Sequence, residues 1–330
     1  MDDYLEFTRL FGGLDPFPYS RTVILSIESS RRSLDGALFI DRVLTALNLG
    51  QGKYKYIQPP ARLPQQFTSL PCSIHPAVSH YPPKNKDALR QWHQLICSNN
   101  NNITLHHKLS IIYYILLDIG GRCGGADRAE RFAKYASIPD RYQIFMKGLW
   151  LMDTRNFELA LEHLTHPSLI SDFADDIIIV LVHHAKDGDY SLPLAYYHTV
   201  QPSIRSSAAL EALFDAAAQS SVMTAFEFSR SHADYMRRQL FQRLVLSVLG
   251  SGRGEEAAEK AFELTSLPLD ADEEQWFREC LESGEAKRFK TAKDTLITRR
   301  IITGQTVGAN EKGSWATVLE GVKTGSGGRV

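Results

Sequence analysis

Four cysteines in 330 residues are few, and their placement matters more than their number. Cys72, Cys97, Cys123 and Cys280 lie far apart, with no C-x-x-C pair. That excludes a dense disulfide framework and half of a zinc site, and it points to a reducing compartment. Long apolar runs are also missing. The longest, Ile111–Leu117 and Ile177–Val182, fall well short of the roughly 18 residues a membrane helix needs. The acidic start, MDDYLEF, is unlike a secretory signal or an Arg-rich transit peptide. An excess of positive charge is absent as well. Lys and Arg number 37 against 38 Asp and Glu, a formal net charge of −1, so the broad basic character of a dedicated nucleic-acid binder is not there. G-x-S-x-G does not occur, and Gly308-x-x-x-x-Gly313-Ser314 lacks the lysine of a P-loop.

What is present is 43% hydrophobic and 23% charged, an ordinary globular composition. Nine of the 14 prolines lie between Pro16 and Pro83, and none follows Pro268. Seven of the 22 glycines fall in the last thirty residues. Three stretches follow from this punctuation. Residues 1–84 carry short helices, at Tyr4–Phe11 and at Ser33–Leu49 with Ser33 as cap, then a proline-rich extended segment over 57–83 that crosses a helical surface. Residues 85–300 form a helical domain. Residues 301–330 form a glycine-rich tail.

The middle reads as helix after helix: 86–97, 104–118, 126–136, 140–153, 156–164, 170–184, 190–200, 205–219, 221–230, 232–249, 254–265, 271–282 and 285–298. Breakers such as Gly120–Gly125 and Pro139 fall between them, and the short connections make neighbours antiparallel. Ala160, Ala195, Ala225 and Ala258, each beside an aromatic, leucine or alanine, recur at steps of 35, 30 and 33 residues. That is the size of a two-helix repeat. The expected fold is all-α, an irregular α-solenoid of stacked antiparallel helix pairs with a proline-rich extended N-terminal segment.

Chemistry is harder to find. His106-His107 and His183-His184 are adjacent, so on a helix they point about 100° apart and do not chelate together. His163 and His166, Cys72 and His75, and the Asp175-Asp176 pair are read as structural. The acids suit a helix start. Cys123, within Gly120–Gly125, is read as part of a helix-to-helix loop. No catalytic residue, cofactor-binding residue or metal ligand is assigned, and no small-molecule substrate or membrane span is expected.

Two features could meet a partner. Residues 285–330 carry a local charge of +5, leaving −6 on the rest. Lys287, Arg288 and Lys290 head this basic stretch, with Lys293, Arg299 and Arg300 behind them. The tail holds one dense apolar patch with Trp315, Val318 and Leu319, either a linear motif for a partner or a segment that docks back.

The stretch 138–169, IPDRYQIFMKGLWLMDTRNFELALEHLTHPSL, reads as a helix hairpin. Phe145, Leu149 and Met152 form one stripe, Leu161 and Leu164 face back, and Trp150 is an anchor. With Gly148-Leu149-Trp150-Leu151-Met152-Asp153 and the closing His166-Pro167-Ser168, it resembles the helical domain of the ELYS family of nuclear pore complex assembly proteins. A looser likeness runs from Leu105 to Leu296. The resemblance implies a structural nucleoporin at the nuclear envelope, not an enzyme. Its implied partners are subunits of the Y-shaped outer-ring complex, a β-propeller and an α-solenoid among them. Large animal members add a β-propeller and an AT-hook that binds chromatin. This chain has no Arg-Gly-Arg-Pro hook and is expected to be a short, fungal-type member, so DNA or chromatin is not an expected partner. The alternatives are a DNA-contacting adaptor using the basic stretch, or a helical small-molecule binder using Gly120–Gly125.

Overall fold

A computed structural model describes residues 5–47, 49, 81–98, 103–123, 127–252 and 254–304. Within them all long regular structure is helical. The helices are α1 (Phe7–Phe11), α2 (Arg21–Ser33), α3 (Phe39–Ala46), α4 (Lys86–Cys97), α5 (Leu105–Cys123), α6 (Asp127–Tyr135), α7 (Asp140–Asp153) and α8 (Phe157–Leu164). They continue with α9 (Ala174–His183), α10 (Ser191–Val200), α11 (Ser207–Ser220), α12 (Val222–Arg230), α13 (Asp234–Gly250), α14 (Glu255–Ser266), α15 (Ala271–Glu282) and α16 (Ala292–Ile302). The all-α, solenoid-like class expected from the sequence is what forms. The chain divides into two compact units, Met1–Asp172 with Thr199–Gln201, and Phe173–His198 with Pro202–Val330.

In the first unit α5 packs on α4, α6 and α7, α7 packs on α8, and α3 packs on α7. In the second, α11 packs on α9, α12 and α13, α13 packs on α14 and α15, and α16 packs on α14 and α15. Side-chain caps start several of these helices. Asn85 accepts from the Ala88 amide at 2.7 Å, Ser206 from Ala209 at 3.1 Å, Ser221 from Thr224 at 3.2 Å and Asp270 from Glu273 at 2.9 Å. Each satisfies an amide that the first helical turn leaves without a partner.

Four boundaries differ from the sequence reading. The expected helix over Ser33–Leu49 is two elements. Ser33 ends α2 rather than capping a new helix, and Asp35 and Gly36 take positive φ, 58° and 82°, in the turn before α3. Leu34 and Leu38 are still fully buried, which is why their spacing imitated one helix. Gly120 and Gly121 do not break α5. A Cβ on Gly121 would stand 3.0 Å from the Trp150 ring, so the small residue admits a close crossing. The helix expected from 170 starts at Ala174, because Phe173 sits at φ 59°. The expected helix 285–298 is a 3-10 turn at Glu285–Arg288, an extended Phe289 and then α16. Helix α2 itself was not expected. The extended segment expected over 57–83 lies outside the described residues except for its end, where Tyr81 is buried.

The α7–α8 hairpin forms at the expected boundaries. Leu149, Met152, Leu161 and Leu164 are buried, and Phe145 and Trp150 are half-buried. Gly148 is what lets the two helices meet: a Cβ there would stand 2.7 Å from both Cγ and Cδ2 of Leu164. Gly148→Ala is therefore expected to destabilise the chain. Overpacking of about 1–3 kcal/mol opposes a helix-propensity gain of about 1 kcal/mol. Chemical denaturation should show a lower midpoint, partly restored by adding Leu164→Ala.

Candidate functional site

The most concentrated polar chemistry in the first unit is two buried carboxylates. Asp153, the last residue of α7, is buried. Its Oδ1 accepts the Phe39 amide at 2.6 Å, and its Oδ2 accepts the Ile40 amide at 3.1 Å and the Tyr114 hydroxyl at 2.7 Å. The carboxylate thus caps α3 and ties it to α5 and α7. Burial pushes the Asp153 carboxyl up to about 7, against the hydrogen bonds from Tyr114, Phe39 and Ile40 that favour its charged form.

Asp118, on α5, is also buried. It accepts the Tyr81 hydroxyl at 2.7 Å, the Trp150 indole N–H at 3.3 Å and the Arg122 Nε–H at 3.0 Å. Tyr81 further packs against the rings of Tyr19, Trp92 and Tyr114, with centroids 5.8–6.2 Å apart. Its own carbonyl accepts Arg31 Nη2–H at 2.7 Å, and Arg31 also pairs with Asp41 and Glu28. Burial holds the Tyr19, Tyr81 and Tyr114 hydroxyls well above the usual phenol range, so these groups stay protonated. This cluster is a clasp, with every oxygen of the two acids occupied by the fold.

The second unit has its own clasp. Glu273 on α15 is fully buried and takes hydrogen bonds from Arg230 at 2.6 and 3.0 Å, from Arg237 and from the Asp270 amide. Burial alone would raise its pKa, but the hydrogen bonds from Arg230 and Arg237 outweigh burial and lower it. Arg299 is buried. It donates to the carbonyls of Thr265 and Leu267 at 2.8 and 2.6 Å and pairs with Glu274, joining α14, α15 and α16. Asp175 is structural in a way its helix-start position did not reveal. Its carboxylate accepts the amides of Arg205 and Ser206 at 2.7–3.2 Å, just ahead of α11.

The histidines likewise serve local contacts. His106 stacks on Tyr142, His184 contacts the Val180 carbonyl, and His166 contacts Ser168. Cys97 and Cys280 are buried free thiols, pushed up by desolvation. Among the described residues no group of three acidic, histidine or cysteine side chains could hold a metal ion, and no helix is long and apolar enough to cross a membrane. An open groove of about 700 Å³ lies over α11, α13 and α15. Its arginines are engaged, Arg243 with Asp215 and Glu211, and Arg238 with Glu279.

Of the expected partner-binding residues, Lys287, Arg288 and Lys290 are exposed on and just after the 3-10 turn. Arg299 and Arg300 do not extend that face as the sequence reading had it. The first is buried structure and the second pairs with Glu282 at 3.0 Å. Trp315, Val318 and Leu319 lie outside the described residues.

The residues held in these contacts are those of the hairpin motif. Gly148 admits Leu164, Trp150 reaches Asp118, and Asp153 caps α3. Residues 37–284 match the model of the family described as ELYS, nuclear pore complex assembly. The chain belongs to the ELYS family. It is also similar to the uncharacterized protein ely5 of Schizosaccharomyces pombe, 28% identical over 187 residues, which cover 56% of this chain and 52% of that protein. The chain thus spans about half the length of the relative it matches. Membership in this ELYS family implies a role in nuclear pore complex assembly, association with the nuclear pore and nucleoporin partners.

Two outcomes follow for stability. Asp153→Asn places an amide NH2 against the Ile40 amide and is expected to cost about 2 kcal/mol. Because the folded pKa is raised, the acid's contribution is full below the unfolded carboxyl value of about 4 and is lost as pH rises through about 7. The gap between wild type and this variant should therefore narrow from pH 5 to pH 8 in denaturant titrations (roughly the window set by those values). Glu273→Gln acts with the opposite sign. It leaves Arg230 and Arg237 without their charge partner, at about 3 kcal/mol. The wild-type advantage should be present above about pH 4.3 and vanish as pH falls below it.

Proposed function

We propose that this chain is a structural nucleoporin that binds the Y-shaped outer-ring scaffold of the nuclear pore and contributes to pore assembly at the nuclear envelope. The observation that carries the reading is the hairpin motif of residues 148–153. It lies within the family match, and its residues are used for packing and capping rather than for chemistry. A protein built this way offers surfaces, not a reaction. The partners that fit are outer-ring subunits, a β-propeller and an α-solenoid, and the basic face of Lys287, Arg288 and Lys290 suits an acidic neighbour. Its small size and the commitment of Arg299 and Arg300 to intramolecular contacts favour a protein partner over DNA, whose phosphates call for a longer run of free cations.

The test is co-purification of the tagged chain with outer-ring nucleoporins at moderate salt. Recovery of none of them overturns the reading. Reversal of Lys287, Arg288 and Lys290 to Glu is expected to weaken that recovery several-fold and to leave the thermal midpoint unchanged, since all three are exposed. A triple variant that binds as wild type removes the basic face from the interface. Binding of the unaltered chain to duplex DNA with a steep salt dependence would favour the adaptor reading instead.

A further inference from the structure

Helix α14 presents an outward stripe that no described element covers. Glu255, Ala258, Glu259, Phe262 and Ser266 are exposed along it at helical spacing, and Phe262 is 64% exposed. Carboxylates surround the ring. Glu255 and Glu259 flank the stripe, while nearby Lys260 is turned to the Gln219 carbonyl and Glu256. An apolar ring beside acidic side chains fits a segment with apolar anchors and basic flanks.

We propose that this stripe receives the chain's own C-terminal segment, with Trp315 seated against Phe262 and the flanking lysines toward Glu255 and Glu259. Three observations select this occupant. The first is where the described chain ends. Arg299, on the last turn of α16, reaches the carbonyls of Thr265 and Leu267, so the chain leaves Gly304 beside the C-terminal end of α14, about one helical turn from Phe262. Trp315 is eleven residues beyond Gly304, a reach of up to about 36 Å. The second is complementarity. Trp315, Val318, Leu319 and Val322 follow the i, i+3, i+4, i+7 spacing of one helix face, with Lys312 and Lys323 on either side. The third is size. One exposed phenylalanine offers on the order of 200 Å², far below the roughly 800 Å² per partner of a stable bimolecular interface. A tethered segment faces no such threshold, because a short linker supplies an effective concentration on the order of millimolar. The proposal is independent of the outer-ring reading and concerns a different helix.

The test uses the full chain. The emission of Trp315 is taken as the difference between the wild type and Trp315→Phe, and its acrylamide quenching is measured over a wide range of protein concentration. The expected result is a blue-shifted Trp315 quenched several-fold less than free tryptophan, independent of concentration. Phe262→Ser should abolish that shielding, Glu255→Lys with Glu259→Lys should weaken it, and Tyr235→Ser, at an exposed ring elsewhere in the second unit, should leave it intact. Circular dichroism checks that each surface variant folds. The proposal is overturned by a Trp315 that quenches like free tryptophan, or by shielding that survives Phe262→Ser. Shielding that fades on dilution assigns the stripe to a second copy, and shielding gained only with an added outer-ring subunit assigns it to that partner. Either result also overturns the proposal.

Discussion

A single buried carboxylate organises the first unit. Asp153 closes α7 and at the same time starts α3, more than a hundred residues earlier in sequence. An acid placed there must be paid for by donors, and the fold supplies three: two main-chain amides and Tyr114. Those donors fix the height of α3 on α7 and the rotation of α5 against both. The hairpin geometry that Gly148 and Leu164 permit is what places the end of α7 where α3 begins. Asp118 repeats the device one layer away, gathering Tyr81, Trp150 and Arg122. Apolar burial drives these helices together, but it is nondirectional. The two acids give the direction.

The second unit solves the same problem with the opposite electrostatics. Glu273 is kept charged by two arginines, so its clasp strengthens as the acid ionises, whereas Asp153 is held by neutral donors and its burial favours the proton. Arg299 plays the cationic counterpart, satisfying carbonyls that the end of α14 leaves open. In each unit a charge compensates a helix end, which matters for short helices whose free ends form a large share of the backbone.

The sequence was most legible where packing is local. The hairpin 140–164 follows from the 3.6-residue spacing of Leu149, Met152, Leu161 and Leu164 and from the Asp153–Asn156 turn. It was least legible where a distant partner decides. Arg299 read as surface charge because nothing near it in sequence reveals the carbonyls it meets, and Asp153 read only as the end of a helix. Gly121 looked like a breaker because glycine's cost within a helix is local, while its benefit, room for Trp150, comes from α7. Helix α2 was missed because Ser and Arg dominate it and only Ile27 and Arg31 are buried. The one signal available was Ser20, which caps it.

This division between inside and outside bears on how such a protein evolves and binds. The residues that identify the family are held in the interior, where changing one volume or one acceptor costs several contacts at once. They maintain a frame and are not available to a partner. Recognition must then fall to side chains that the frame leaves free, such as Lys287, Arg288, Lys290 and Phe262. These can change without disturbing Asp153 or Glu273, because none of them enters either clasp. A scaffold of this kind can keep its motif and exchange its surface. A match of 28% to the fission yeast relative is therefore compatible with a shared frame while leaving each protein to fit its own neighbours.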